Sequence, residues 1–381
     1  MSYPNENPVE EPDLNQLRQE KAKEYAKTRR RLFFADLVVG GILLLLLVFS
    51  GLSQRLAGLL TLPVIPAVTI YFIILMVGYG LLSAPLSYYG GFVLSHRYGL
   101  STQKFASWLG DQAKAGIISL ILGAGLVAVV YWFITGFPSI WWLLSWGTVV
   151  LLSLLLTNLA PIIIVPLFFK MKPLGDADLK LRLEQLAQRA QTKVHGIYVV
   201  ELSSKGTTAN AALMGLGNTR RIALSDTLLQ QYSPSEIEII TAHELGHHLQ
   251  GDTFRLLVIH SAIWLIGFYV ADLALEASAV PLGFSGILDI AALPLLMLIL
   301  ATFSLLIAPI VNSYSRHLEV AADEYALRLT DDPKSFITTM TKLTDQNLSE
   351  AQPSRWVELL MCDHPSYTKR VEHTRYYSTN H

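Results

Sequence analysis

The chain has 381 residues, of which 52% are hydrophobic and only 15% charged, and its formal net charge is −1. That balance is too apolar for an ordinary water-soluble enzyme, and it provides no basic field that would draw the protein to nucleic acid. One cysteine, Cys362, excludes an intramolecular disulfide and a thiolate metal cluster, so a bound metal must take histidine and carboxylate ligands.

In chain order, residues 1–31 are polar, with Pro4, Pro8 and Pro12 ahead of a mixed-charge helical stretch, and they lack the short basic start and prompt apolar core of a secretory signal. Residues 56–96 and 116–169 contain no Lys, Arg, Asp or Glu, and both runs exceed the roughly 20 residues a helix needs to cross a bilayer. Six spans are expected, at about 32–52, 64–94, 114–136, 140–168, 254–275 and 287–311. Pro85 and the nearby glycines predict a tilted or kinked second span. Arg29, Arg30 and Arg31 precede the first span, Arg97, Lys104 and Lys114 separate the second from the third, and Lys170 and Lys172 follow the fourth. The bias of cationic residues towards the cytoplasmic side therefore places both termini and residues 170–250 in the cytoplasm.

Between the fourth and fifth spans lies one sizeable polar segment. Its apolar spacing predicts a helix over 178–191, and strand character appears at 197–201 and 221–225, with a turn at Gly215, Gly217 and Asn218. A further helix over 233–249 has Ser233 or Ser235 as its N-cap, with Pro234 tolerated in the first turn. The expected fold is mainly α: a polytopic transmembrane helical protein with a small α+β domain at the cytoplasmic side. Its parts are a polar segment 1–31, four spans in 32–169, a cytosolic domain 170–253, a transmembrane hairpin 254–311 and a cytosolic C-terminal segment 312–381.

The chemistry is concentrated in His243-Glu244-Leu245-Gly246-His247. A spacing of four puts both imidazoles on one helix face about a turn apart, where they can share one Zn²⁺ per chain, and Glu244 is placed to take a proton from water at that metal. A catalytic zinc needs a third protein ligand. Two crossings after residue 249 return the chain to the side it left, which makes Glu319 the expected ligand. Asp323, a turn later on the same face, is expected to accept a hydrogen bond from a ligand imidazole and so orient it. His317 points to the opposite face from Asp323, and His248 projects away from the face shared by His243 and His247. His260, inside the fifth span, is expected to hydrogen-bond between helices.

These residues resemble the type I CAAX prenyl proteases, integral-membrane zinc metallopeptidases. The likeness runs from about residue 80 to 372: Ala84-Pro-Leu-Ser-Tyr-Tyr89, His96-Arg-Tyr-Gly-Leu100, Pro166-Leu-Phe-Phe-Lys170, Asn210-Ala211, Arg221 to Leu229, the metal motif, Ser315-Arg316-x-x-Glu319-x-x-Ala322-Asp323, and His364-Pro365. The resemblance implies that Asn210, Ala211 and His364 line a substrate cleft, with Asn210 and His364 stabilising the oxyanion, and that Arg370 is a structural or cleft residue. It implies hydrolysis of peptide bonds in lipid-modified, CAAX-type or membrane-inserted substrates, with the peptide extended along an edge strand near Asn210. The sequence departs from the family at Ser203 to Thr208, Ala212 and Ser366, all where substrate would lie. Two alternatives stand beside this one: an HtpX-like membrane quality-control protease, and a non-enzymatic membrane protein with a structural zinc site.

Overall fold

The structure, a computed structural model, describes residues 13–215 and 220–380. Pro4, Pro8 and Pro12, and Gly217 and Asn218 of the expected turn, lie outside the described residues.

Six helices are long and apolar enough to cross a membrane: α1 (Gln16–Phe49), α2 (Val64–Arg97), α3 (Phe105–Gly136), α4 (Trp141–Phe168), α7 (Asp252–Ser278) and α8 (Ile290–Thr330). Between α4 and α7 come β1 (Met171–Pro173), α5 (Ala177–Arg189), β2 (Gly196–Val200), β3 (Ala211–Met214), β4 (Arg221–Ser225) and α6 (Pro234–Leu249). The chain ends with α9 (Pro333–Gln346), α10 (Arg355–Met361) and α11 (Tyr367–Asn380). The six spans coincide with the apolar runs, but α1 and α8 extend well past them. α1 begins at Gln16, where the Asn15 side chain accepts from the Arg18 N–H, and α8 continues through Glu319 and Asp323.

Proline explains the irregularities. Pro85 cannot donate to the helix ladder, and α2 passes through one π-helical turn at Tyr89–Val93 just after it; α4 does the same at Ala160–Ile164, around Pro161. One apolar core lies among the spans, around Tyr71, Tyr131, Trp141 and Phe268. A second lies under the sheet, where Leu183 and Leu186 of α5 meet Leu224, Leu228 and Ile237. His260 does not bridge helices as expected: its Nδ1 lies 2.7 Å from the Leu256 carbonyl of its own helix, the nearest acceptor inside a span.

The sheet has strand order β1-β2-β4-β3, with β2 and β4 parallel and the two outer pairings antiparallel. β3 is therefore an edge strand. Its four residues, Ala-Ala-Leu-Met, carry little strand propensity, and its pairing with β4 over Ala211↔Leu224 to Met214↔Arg221 is a tertiary fact.

α6 starts on a full capping box: the Ser233 side chain accepts from the Glu236 N–H, Glu236 Oε2 accepts from the Ser233 N–H at 2.7 Å, and Pro234 occupies the first turn. Gly246 lets α6 approach α8 closely, since a Cβ there would stand 3.2 Å from the Ala322 Cα and 3.2 Å from the Tyr325 Cβ. Backbone contact at this point sets the separation of the two helices. A Gly246→Ala substitution should force them apart by a few tenths of an ångström and cost about 1–3 kcal/mol of stability, the usual cost of overpacking. Thermal unfolding of the detergent-solubilised protein measures the loss.

Candidate active site

α6 and α8 bring His243, His247 and Glu319 together. One ligand atom from each lies within 4.8 Å of the others, and this is the group among the described residues whose His and acidic atoms are so placed. His243 Nε2 and His247 Nε2 are 3.1 Å apart, His243 Nε2 is 3.3 Å from Glu319 Oε2, and His247 Nε2 is 3.2 Å from Glu319 Oε1. α7 and α8 form the hairpin that brings Glu319 back to the histidine pair.

Each imidazole has a carboxylate behind it. His243 Nδ1 lies 2.9 Å from Asp323 Oδ1, off the best hydrogen-bonding angle, and His247 Nδ1 lies 2.9 Å from Asp252 Oδ2. Each carboxylate can accept only from a ring N–H, so both rings keep a proton on Nδ1 and turn Nε2 towards the partner ring. Two Nε2 atoms 3.1 Å apart need a proton or a metal ion between them. Glu319 Oε2 is buried without a hydrogen-bond partner in the same place, so the donor set fits a metal ion.

The charge balance points the same way. Burial disfavours the charged form of His243, but Asp323 and Glu319 outweigh it and push its pKa up to about 9; Glu319 and Asp252 likewise raise that of His247 against burial. The pocket therefore attracts positive charge. Glu244, next to the first histidine, is raised chiefly by burial, while the two imidazoles and a hydrogen bond from the Leu213 N–H pull it down. Its carboxylate thus faces both the histidine pair and the edge strand.

The remaining expected residues are arranged around this centre. His364, in the segment between α10 and α11, places Nε2 3.2 Å from Glu319 Oε1 and Nδ1 2.8 Å from Asp363 Oδ1. Asp363 and Glu319 push its pKa up to about 10 against the effect of burial. Arg370 donates from Nε to Asp323 Oδ2 at 2.7 Å and from Nη2 to Asp323 Oδ1, and it lines a cavity of about 680 Å³ together with His364. Of the two roles the resemblance left open, the structural one thus has a specific partner. Asn210 lies exposed just before β3, its backbone paired with Ser225, and Ala211 is the first residue of that strand. His317 is exposed and outside the three-residue group, and His248 is only half-buried, its pKa lowered by burial and by Arg220.

Three contributors were not legible in the sequence. Asp252 follows the motif by five residues and reaches His247 because Gly251, at φ +71°, turns the chain back between α6 and α7. A Gly-Asp pair just after the metal helix is the signal that would have pointed to it. Asp363 behind His364, and the Leu213 N–H on Glu244, had no such signal.

Comparison with known proteins gives the context. The family model described as CAAX prenyl protease N-terminal, five membrane helices, matches residues 8–170, and the model for peptidase family M48 matches residues 173–378. An uncharacterized metalloprotease of Bacillus subtilis (strain 168), YhfN, is 32% identical over 361 residues, spanning 92% of this chain and 84% of the relative. A CAAX prenyl protease 1 homolog of Arabidopsis thaliana is 29% identical over 75% of this chain and 68% of its own length. The crystal structure of S. mikatae Ste24p shares the fold at a TM-score of 0.85, with 22% identity, over 97% of this chain and 91% of that one.

Replacing Asp252 by Asn should weaken metal binding by about 10–100-fold, because a neutral amide supports the His247 imidazole less well than a carboxylate does. Competition with a graded chelator series, followed by metal analysis, reads this directly.

Proposed function

We propose, from the premise that the chain belongs to peptidase family M48 and is an integral-membrane metalloendopeptidase, that it is a zinc enzyme cleaving lipid-modified, CAAX-type or membrane-associated peptides. The observation that carries this reading is the convergence of His243, His247 and Glu319 on one point, with the Glu244 carboxylate and an open strand edge beside it. Zinc suits the donor set, since two imidazole nitrogens and a carboxylate oxygen are characteristic zinc ligands, and one such atom from each residue lies within 4.8 Å of the others.

His243, His247 and Glu319 would hold the ion, with Asp323 and Asp252 fixing the two rings. When bound, zinc supplies Lewis acidity, making water acidic enough to lose a proton near neutral pH and polarising a carbonyl. Glu244 accepts that proton and later hands it to the leaving amine; its raised pKa keeps it basic enough to do both. His364, held positively charged by Asp363 and Glu319, donates to the oxygen that becomes negative as the carbonyl is attacked. Asn210, exposed just before the edge strand, donates to the same oxygen from the strand side. Arg370 keeps Asp323 ionised, and through it fixes the His243 ring.

The substrate lies extended along β3, near Asn210 and Ala211. The curated relatives named as CAAX prenyl proteases support a prenylated substrate, and the place of Glu319 on α8, past that helix's apolar run, supports one tethered to the bilayer. The cationic residues flanking the spans favour a cytoplasmic active site and cytoplasmic termini. A net charge of −1 gives no reason to expect a nucleic-acid partner.

The test is purification with metal analysis, followed by peptidase assays of the wild type and Glu244→Gln. Both proteins should carry about one zinc, and Glu244→Gln should retain less than about one part in a hundred of the activity, since it keeps the ligands and loses the base. A folded, zinc-free wild type would defeat the metal assignment, and an active Glu244→Gln the assignment of the base. Faster cleavage of a farnesylated CAAX peptide than of an unmodified membrane protein separates this function from quality control.

A further inference from the structure

A groove of about 790 Å³ lies between α1, α8 and α10. Its walls are Phe33 and Leu37 of α1, Leu305 and Pro309 of α8, and Trp356 and Leu360 of α10. Its rim is Lys27, Arg29, Arg30 and Arg31, and no carboxylate lines it. Lys27, Arg31, Phe34 and Leu37 fall at helical spacing on one face of α1, so the groove changes from cationic to apolar within about one turn. Arg30 is paired with Glu350 at 2.8 Å, whereas Lys27, Arg29 and Arg31 are exposed and make no ion pair among the described residues. α10 is held to α8 through its backbone: Asn312 Nδ2 donates to the Leu360 carbonyl at 3.0 Å, and Arg316 Nη1 donates to the Glu358 carbonyl at 2.9 Å. The Trp356 side chain is left 72% exposed. A bare indole and leucine beside a row of cations, where a span begins, have the composition of a bilayer interface. Phe33, Leu37 and Leu305 also line a second, apolar cavity of about 420 Å³ that continues between α1, α2 and α8.

We propose that this groove binds one anionic glycerophospholipid, with its phosphate on Lys27, Arg29 and Arg31 and an acyl chain along Phe33, Leu37 and Leu305. A neutral hydrocarbon in the groove would leave the three cations without a partner, and a free phosphate would leave the apolar walls bare. A molecule carrying both an anion and a long alkyl chain satisfies the two at once. Guanidinium groups give a phosphate forked hydrogen bonds, and a zwitterionic headgroup offsets part of that attraction with its own ammonium. Phe34 and Leu305 are exposed beside the spans, so the lipid enters sideways from the surrounding leaflet. The groove shares Arg29, Arg30, Val357 and Met361 with the cavity that holds His364. A bound lipid therefore covers Trp356 and packs on α10, whose last residue, Met361, stands two positions before Asp363.

The experiment uses full-length protein in detergent, stripped of lipid and titrated with phosphatidylglycerol, phosphatidylcholine or inorganic phosphate, with bound species counted by native mass spectrometry. The wild type should bind one phosphatidylglycerol at least about tenfold more tightly than phosphatidylcholine. Lys27→Gln combined with Arg31→Gln should weaken phosphatidylglycerol binding about 30-fold, roughly fivefold for each cation removed, and change phosphatidylcholine by no more than about threefold. Lys104→Gln combined with Lys170→Gln removes the same charge from the ends of α3 and α4, outside the groove, and should keep the wild-type preference. Trp356→Ala should weaken both lipids alike, by about threefold or more, since it takes away apolar wall and no charge. Equal binding of the two lipids by the wild type overturns the proposal whether or not any variant folds. An equal loss in the Lys104 and Lys170 pair overturns it too, because net charge rather than the groove would then attract the lipid. Phosphate bound as tightly as phosphatidylglycerol would leave the apolar walls unused, and a lipid-free dimer would put a second copy of the chain on this face; either result sinks the assignment.

Discussion

Backbone contact between α6 and α8 at Gly246 and Ala322 is the constraint on which the rest of the site depends. His243 and His247 flank Gly246 on one helix, and Glu319 and Asp323 flank Ala322 on the other. Side chains of these lengths converge only when the helix axes come close. A residue with a Cβ in place of Gly246 would set a larger separation and lengthen the reach of Glu319 to both imidazoles. The transmembrane hairpin of α7 and α8 supplies the reach, and the missing side chain at Gly246 supplies the fit.

Around that contact the protein buries an excess of negative charge. Glu244, Asp252, Glu319 and Asp323 stand about the two imidazoles, with the Arg370 guanidinium paired to Asp323. Burying carboxylates is costly unless each has a partner. Asp323 and Asp252 have theirs in a histidine and an arginine each, Arg255 being 3.4 Å from Asp252. Glu319 has one oxygen without a hydrogen bond, and this residual deficit is what a divalent cation removes.

The edge strand and the C-terminal segment reach the site through the Leu213 N–H on Glu244 and His364 on Glu319, and the first helix braces the C-terminal segment. Asp345 accepts from the Asn15 N–H at 3.0 Å, its carbonyl accepts from Arg18 Nε at 2.7 Å, and Arg30 pairs with Glu350 at 2.8 Å. These contacts lie either side of Asn347, whose side chain accepts from the Ala209 N–H, so the N-terminal helix holds the segment that meets the start of the edge strand. Lys205 and Asp111 make a similar tie, from the loop before β3 to α3. The strand on which substrate is proposed to lie is therefore anchored to two spans, although none of its own residues is in the membrane helices.

The sequence by itself determined the spans, the metal helix and its cap, and the candidates His243, His247, Glu244, Glu319 and Asp323, because each is written in local spacing or in the parity of crossings. Apolar runs announce spans whatever their neighbours do, and a four-residue spacing places two side chains on one face without reference to any partner. Tertiary structure alone decided the rest. β3 is too short and alanine-rich to declare itself, Asp252 and Asp363 acquire meaning only through the rings they touch, and Arg370 through its pairing with Asp323 across 47 positions. Asn347 meets Ala209 across 138 positions, and no local pattern encodes such a pairing, since the contact exists only once α9 has packed beside the sheet.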